Sequence, residues 1–575
     1  MEETQHMALT RRALGGLTIG GSSALMLAAC GGDEEDGGGG PSGELTWAIA
    51  YPWEAWNENT STGNNSAGHL AMAPMVSAGS GGYDFDPEGN VFYDDAIFEG
   101  EPELISEAPM QIQVTLKEGA QWSDGKPIRL EDFIFQWYSL SGNPEHANQE
   151  KALPATTAWG STVASIEEPE PGVIVFTFAE GNVDPEWKFT GGVYLPSHYA
   201  EEEGGFTAWQ TDPEVMGDAI TWFNENLWTV VSGPYKPVDN KLGEYIVYEP
   251  NEKYQGSKKA KFTKLTMRPV TGIEAEVTEL RQGTIAGCWP NDFSLEILQE
   301  LDENPEEWKY ETYAGATWSH FDINVRNGFL ADVELRKAVF TAVNIGEIKE
   351  RAFPGTEVPW LGNHFFTEES PYYQDYLTPA NYGLGDLDAA KAILTAAGYT
   401  WNGDGKLEKD GEQVVFNFRF ATSNEIRKLT GEVIQAQLEP LGIDLELKGF
   451  GDEDFAGTLS SADFDMIVFS WVGSPAFTTG PNQYFATDSA SNYGGYDDPV
   501  INELLPKVRG TFDMDEAADF ANQISAQAVA QAYTLPLYSS PLSVIWNAKL
   551  IELTDPVNPA SQAGPTWNVR EWQAP

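Results

Sequence analysis

Cysteine is nearly absent: the 575-residue chain has two, Cys30 and Cys288. Cys30 belongs to the leader described below, so Cys288 stands alone. No internal disulfide can form in the mature chain, and the fold must hold by burial of its core. Cys288 lies in Ala286-Gly287-Cys288-Trp289 with no histidine near it in sequence, which reads as a buried structural thiol. Histidine is also sparse. His6, His69, His146, His198, His320 and His364 show no metal-binding spacing. Basic residues are few, 33 Lys and Arg against 88 Asp and Glu, a formal charge of −55. That balance excludes nucleic acid as a partner, because phosphate binding needs a cationic footprint. The acidic surface keeps a folded protein soluble, and a saline habitat or the ordinary acidity of an exported protein would each account for it. The Gly-x-Ser-x-Gly elbow of serine hydrolases is missing. So are a Walker loop and, outside the Gly31–Gly43 run, a dinucleotide glycine fingerprint. Asn402-Gly403-Asp404-Gly405-Lys406 has the outline of a calcium loop, but Lys406 takes the place of an oxygen ligand, so a hairpin turn is expected. The chain is expected to be no enzyme and to carry no cofactor or metal.

Long apolar runs are missing too, apart from the first thirty residues. Arg11 and Arg12 precede an apolar, small-residue stretch from Ala13 to Ala29 that ends in Leu27-Ala28-Ala29-Cys30. A positive start, a short apolar run and small residues before a cut describe an export signal over residues 1–29. The cysteine directly after them resembles the pattern of a bacterial lipoprotein. Its thiol would accept a diacylglycerol, Cys30 would become the first mature residue, and two acyl chains would hold the protein on the membrane. Residues 31–43, GGDEEDGGGGPSG, read as a flexible tether with nothing to pack. Thr10-Arg11-Arg12-Ala13-Leu14 also resembles a twin-arginine signal, which leaves the Sec and Tat routes both open.

The remaining length is several times a domain of about 100–200 residues, so two or three globular units are expected. Aromatics at 12% exclude disorder as the cause of the charge. Period-two alternation marks strands at Ile112, Val114 and Leu116, at Ile174, Phe176 and Phe178, and at Val414, Phe416, Phe418 and Phe420. Asp388 before Ala389–Ala397 and Gly398 after them predict a capped helix. Ile426, Leu429, Val433, Ile434 and Leu438 recur at helical spacing, Pro440 and Gly442 stop that helix, and Ile443, Leu445 and Leu447 resume as a strand. Strand and helix alternate, which predicts mixed α/β architecture.

Residues 114–137, VTLKEGAQWSDGKPIRLEDFIFQW, resemble the signature of the family 5 extracellular solute-binding proteins, the oligopeptide- and dipeptide-binding proteins of ABC importers. The matching features are Lys117, Gly119, Trp122, Asp124-Gly125, Glu131-Asp132, and the aromatics Phe133, Phe135 and Trp137. Asp-Gly suits a tight turn, and the acidic pair suits the positive end of a helix. The family's segments continue in order. They include Ser232-Gly233-Pro234-Tyr235, residues 251–256 (NEKYQG), Leu280-Arg281-Gln282-Gly283, Leu335-Arg336-Lys337-Ala338, Phe464-Asp465-Met466, residues 492–496 (NYGGY) and Leu535-Pro536-Leu537-Tyr538. The resemblance covers residues 44–560.

The resemblance implies a periplasmic-binding-protein-like fold of class II, cluster C type: two lobes joined by two hinge strands, with an accessory subdomain. By position, lobe I takes residues 44–68, 195–270 and 533–575, the accessory subdomain 69–194, and lobe II 271–532. Hinge strands fall at Leu265–Val270 and Tyr533–Tyr538. The implied function is capture of a small ligand, an oligopeptide first, and delivery to an ABC permease with its ATPase. A lipid-anchored monomer is expected. A carbohydrate binder of the same fold and a ligand-sensing receptor stay open as alternatives. The implied ligand-contacting residues are Thr62, Gly63 and Asn64 in the loop after the first strand, then Thr317 and Trp318, then Trp471, Val472, Gly473 and Ser474, then Asn492 and Tyr493. Trp471 suits stacking and the Gly473 backbone suits pairing with a peptide. One departure matters. Where the family's peptide binders carry Trp-x-x-Asp, whose aspartate meets the ligand's ammonium, this chain has Ser474. Either the ligand lacks a free amino terminus there, or another acid such as Asp463 or Asp465 binds it. The family's Asp-Arg after the Val-Arg-x-Ala helix is also altered, to Asn344-Ile345, a site expected to be structural.

Overall fold

A computed structural model describes residues 43–575 except 80, 190 and 474. The expected leader, Cys30, Ser474 and all of the tether but Gly43 lie outside the described residues. Ten strands form one mixed sheet. They are β1 (Glu44–Ile49), β2 (Tyr235–Lys241), β3 (Tyr245–Pro250), β4 (Lys264–Pro269), β5 (Gly287–Cys288), β6 (Trp308–Ile323), β7 (Val415–Ala421), β8 (Asp444–Phe450), β9 (Met466–Val472) and β10 (Thr534–Asn547). Their order across the sheet is β8-β7-β9-β6-β10-β5-β1-β4-β3-β2. Both ends contain parallel pairs, β7 with β8 and β1 with β4, while the centre is the antiparallel pair β6–β10. The helices used below are α1 (Ser66–Met72), α2 (Leu130–Leu140), α3 (Ile273–Gln282), α4 (Leu387–Ala396), α5 (Glu425–Leu438), α6 (Gly480–Phe485) and α7 (Pro499–Val508).

The three largest of five apolar cores among the described residues organise the molecule. One gathers Trp47, Trp53, Trp56, Phe223, Trp228 and Met267. A second gathers Phe321, Phe340, Phe418, Ile434, Val468 and Leu535. A third, holding Ile112, Val114, Phe133, Ile174 and Phe176, fills a separate four-stranded sheet of Glu103–Glu107, Met110–Thr115, Val163–Glu170 and Val173–Phe178 with α2 packed on it. The chain passes from the first core to the second within three residues, since Met267 belongs to one and Val270 to the other. β10 does the same: Leu535 and Leu537 pack in the second core, Leu542 and Val544 in the first. β6 runs beside β10 for its whole length and shares a bulge with it between Ala314 and Trp318. Its 16 residues span roughly 50 Å at the usual rise, enough to serve both cores. Crossings were expected from the sequence at 265–270 and 533–538; this one was not.

Local detail follows the sequence with one correction. Helix α4 starts two residues earlier than expected, with Asp386 rather than Asp388 as its cap. Gly385 turns the chain at φ +77°, and the Asp386 carboxylate accepts from Ala389 N at 2.9 Å. In the signature segment Asp132, in the first turn of α2, accepts from Trp122 Nε1 (3.0 Å), Arg129 N (3.0 Å) and Ser197 N (2.8 Å). That motif therefore fixes how the third core docks. Residues 402–406 form the hairpin turn, with Asn402 Oδ1 accepting from Lys406 N at 3.0 Å. Asn344 caps the helix Ile345–Ala352 through Glu347 N. Cys288 is fully buried in β5, and burial pushes its thiol pKa up, with Glu276 adding to the effect.

Candidate functional site

A cavity with about 1010 Å³ of atom-free space, its mouth included, lies where the first and second cores face each other. The near side is built by the segment that leaves β1. Tyr51 and the start of α1 supply Asn64, Asn65, Ser66 and His69. Asn65 Oδ1 caps α1 by accepting from Gly68 N at 2.8 Å. Tyr51 OH shares a 2.5 Å hydrogen bond with Ser66 Oγ. His69 is paired through Nδ1 with the buried Glu58 carboxylate. Burial is the largest single influence on its pKa and acts downward, but the charge and hydrogen bond of Glu58 outweigh it and the net shift is upward.

The far side is built by β6, β9 and the helices behind them. β6 and β9 pair with Thr317 opposite Val472 and Trp318 opposite Trp471. Trp471 lies 4.9 Å from the Tyr484 ring at 24° and 6.0 Å from the Tyr493 ring at 8°. Phe469 and Phe455 extend this aromatic wall. On the side away from β6, β9 pairs with β7 only at Met466 and Ile467. Among the described residues the partly exposed Ser470–Val472 have no strand partner there.

One charge stands out in this wall. Arg427, in the first turn of α5, is 8% exposed and lines the cavity. Its guanidinium donates to Ser470 Oγ at 3.5 Å, and no ion pair within 4.0 Å holds it among the described residues. Burial lowers its pKa; Tyr51, Tyr538, Asp292 and Asp452 oppose that only from a distance. Asp452 also lines the cavity and accepts from Ser423 Oγ at 2.5 Å.

The structure brings five expected residues to this cavity: Asn64, Thr317, Trp471, Val472 and Tyr493. Trp318 faces a smaller adjoining space that it shares with Asp322, Trp471 and Tyr484. Four others line neither space. Thr62 is exposed on the loop. Gly63 is buried with its Cα pressed on the Asn57 carbonyl, where a Cβ would come within 2.1 Å. Gly473 ends β9. Asn492 spends its amide on Ala486 O and Tyr496 O and accepts from Tyr496 N, so it holds a loop together. The acids expected as substitutes for the missing aspartate are engaged elsewhere. Asp465 accepts from Asn327 Nδ2 (2.7 Å) and Asn417 N (2.8 Å), and the exposed Asp463 pairs with Arg419 (2.7 Å). Arg427, His69 and Tyr484 were not anticipated. Arg427 follows Ile426 in a helix whose apolar spacing drew the attention, and no motif marks it. Among the described residues no group of three or more His, Cys, Asp and Glu is placed to hold a metal ion, and no helix is long and apolar enough to cross a membrane.

Two cores, three strand crossings and a cleft between them define a two-lobed binding protein of mixed α/β architecture. Comparison with known proteins gives the family. The sequence profile of the bacterial extracellular solute-binding proteins, family 5 (middle region), matches residues 101–493, and the chain belongs to that family. It is 27% identical over 468 residues to the oligopeptide-binding protein OppA of Mycobacterium tuberculosis (strain ATCC 25618 / H37Rv), covering 80% of this chain and 74% of that one. Among solved structures it resembles the periplasmic EDTA-binding protein EppA, with TM-score 0.82 and 25% identity over 94% of this chain and 97% of the other. It also shares its fold with AppA of Bacillus subtilis in complex with a nonapeptide, with TM-score 0.75 and 20% identity over 93% and 99%. The fold class expected from the sequence is the fold found.

Proposed function

We propose that this solute-binding protein captures a small carboxylate-bearing ligand, a short peptide first, by closing its two lobes, and passes it to the permease of an ABC importer without altering it. The observation that carries this reading is Arg427. A guanidinium removed from water and left without a carboxylate is costly, and an arriving carboxylate repays that with charge-assisted hydrogen bonds. The open edge of β9 supports a peptide in particular, because an extended backbone can add to it while side chains enter the aromatic wall. The nonapeptide in AppA and the polycarboxylate in EppA's name both fit a cationic anchor. A sugar is the weaker reading. Trp471 is already engaged by Tyr484 and Tyr493, which leaves less free ring face for stacking. The lipid anchor at Cys30, an extracytoplasmic location and a monomeric state belong to the same reading. A mature N-terminal mass carrying acyl chains tests the anchor.

The ligand test is a thermal-shift and calorimetric panel of di- to pentapeptides as free acids, the same peptides as C-terminal amides, EDTA, and oligosaccharides. A bound ligand at a hundredfold excess over its Kd adds about 2.7 kcal/mol of stability. Free acids or EDTA should stabilise and amides should not. Equal response to acids and amides, or response to oligosaccharides alone, would overturn the reading.

A further inference from the structure

The lobe interface holds a second polar cluster that the cavity does not use. Asp184 and Glu186 sit in the loop after Val173–Phe178, on the part of the molecule built around the third core. Thr478 follows the ligand-wall strand β9 by six residues, and Arg509 ends α7; both belong to the half around the second core. These groups meet across more than 290 positions of sequence. Arg509 Nη2 is paired with Asp184 Oδ2, their side chains 9% and 3% exposed. Arg509 Nη1 donates to Thr478 Oγ1 at 3.3 Å. Glu186 Oε1 accepts from Phe477 N at 2.7 Å and from Thr478 N at 3.2 Å, and Oε2 accepts from the Thr478 hydroxyl. None of these residues lines the ligand cavity. Nearby, Gly89 lies against Pro475 of the same loop.

We propose that Asp184 and Glu186 with Thr478 and Arg509 form a latch that exists only when the halves are shut, and that it sets how long Phe477 and Thr478 stay closed toward the ligand wall. The inference rests on lobe closure in the reading above but not on what the ligand is. Two carboxylates and a guanidinium have been taken out of water here, which is tolerable only because each is met by the others or by backbone N–H groups. With the lobes apart, all three would be hydrated separately. The contacts are therefore differential between the two states, and a differential contact is what moves such an equilibrium. The latch also grips the loop that continues from Trp471 and Val472. Releasing it frees the ligand wall as well as the lobes. Removing one member leaves the others buried and unmatched, so the closed state should lose more than the bonds alone.

The test is hydrogen exchange by mass spectrometry on the ligand-free full chain, read over residues 473–480, with Val415–Ala421 as a reference segment. Asp184→Asn and Glu186→Ala should each speed exchange over 473–480 at least tenfold, and Thr478→Val about threefold, with the reference unchanged. The charge exchange Asp184→Arg with Arg509→Asp should return the rate to within about threefold of wild type. Small-angle scattering should show an increased radius of gyration in the single variants and its recovery in the exchanged pair. Unchanged exchange in the single variants, an exchanged pair no better than either single, or acceleration spread equally into the reference segment would overturn the latch. A failed carboxylate test at Arg427 leaves this result untouched, since no ligand enters it.

Discussion

Arg336 and Arg427 sit in two helices of the same half, both buried, and their surroundings are opposite. Arg336 makes four donor contacts to backbone carbonyls. Nη1 reaches Leu330 O (2.7 Å) and Ala331 O (3.1 Å), while Nη2 and Nε both reach Gln531 O (2.8 and 3.0 Å). The guanidinium also lies over the Tyr533 ring at 5.3 Å. Arg427 has a long contact to one serine and a cavity in front of it. The first is a cation completed by the fold, the second a cation that the fold leaves incomplete. Burial alone does not mark a binding residue; the informative quantity is how many of its five donors are already taken.

That comparison can be broken experimentally. The largest effect is expected from Arg336→Met, which strands the buried Leu330 carbonyl and frees those of Ala331 and Gln531. It should cost about 3 kcal/mol or more in chemical denaturation, whether or not ligand is present. A loss under 1 kcal/mol would erase the distinction. Arg427→Met should change stability by less than about 1 kcal/mol, yet weaken binding of a free-acid peptide by about 1.5–3 kcal/mol, roughly ten- to a hundredfold in calorimetry. The amide of the same peptide should bind both proteins alike. Ser474→Asp sharpens the other end of the ligand. Restoring a carboxylate should raise affinity for peptides with a free amino terminus about fivefold, near 1 kcal/mol, and leave N-acetylated peptides unmoved.

The smallest effect concerns pH and a third arginine, Arg509, which is complete only while the lobes are shut. Burial, then the charge of Asp184, pushes Glu186 up to about 7 against the pull of Thr478 and Arg509. Tyr83 and Asp84 stand near the same cluster. With the lobes apart Glu186 would return toward its ordinary value of 4.5. The closed state thus holds the proton more tightly. Closure is favoured in full below the open-state value and weakens as pH rises through about 7. Exchange over 473–480, corrected for its intrinsic pH dependence, should quicken a few-fold between pH 5 and 8. The opposite slope would exclude Glu186 as the titrating group.

The sequence displayed the frame better than the site. Alternation at Ile112–Leu116 and Phe416–Phe420, and the helical spacing from Ile426 to Leu438, reflect burial of one face, a signal repeated over many residues. The aromatic wall was legible as well, because Trp471 and Tyr493 sit in segments with a family pattern. Single polar residues were harder. Asn492 lies in such a segment, yet its amide closes a loop. Arg427 lies in an ordinary amphipathic helix and becomes special only because α5 begins at the cleft. Which donors are left over depends on neighbours distant in sequence, here Ser470 and Tyr51, and no local spacing encodes that. The latch was invisible for the same reason, since Asp184 and Arg509 are ordinary surface residues until the two halves meet.

The doubled strand through the centre of the sheet has one more consequence. Thr317 touches the cavity and stands next to the Ala314–Trp318 bulge, where β6 changes its register against β10. In the proposed closing motion, pivot and palm are the same stretch of backbone. Cargo pressing on that wall strains the joint itself, so a substitution at Gly315 that stiffened the swing would also alter grip without touching the cargo. Selectivity and mobility cannot drift independently in such a chain.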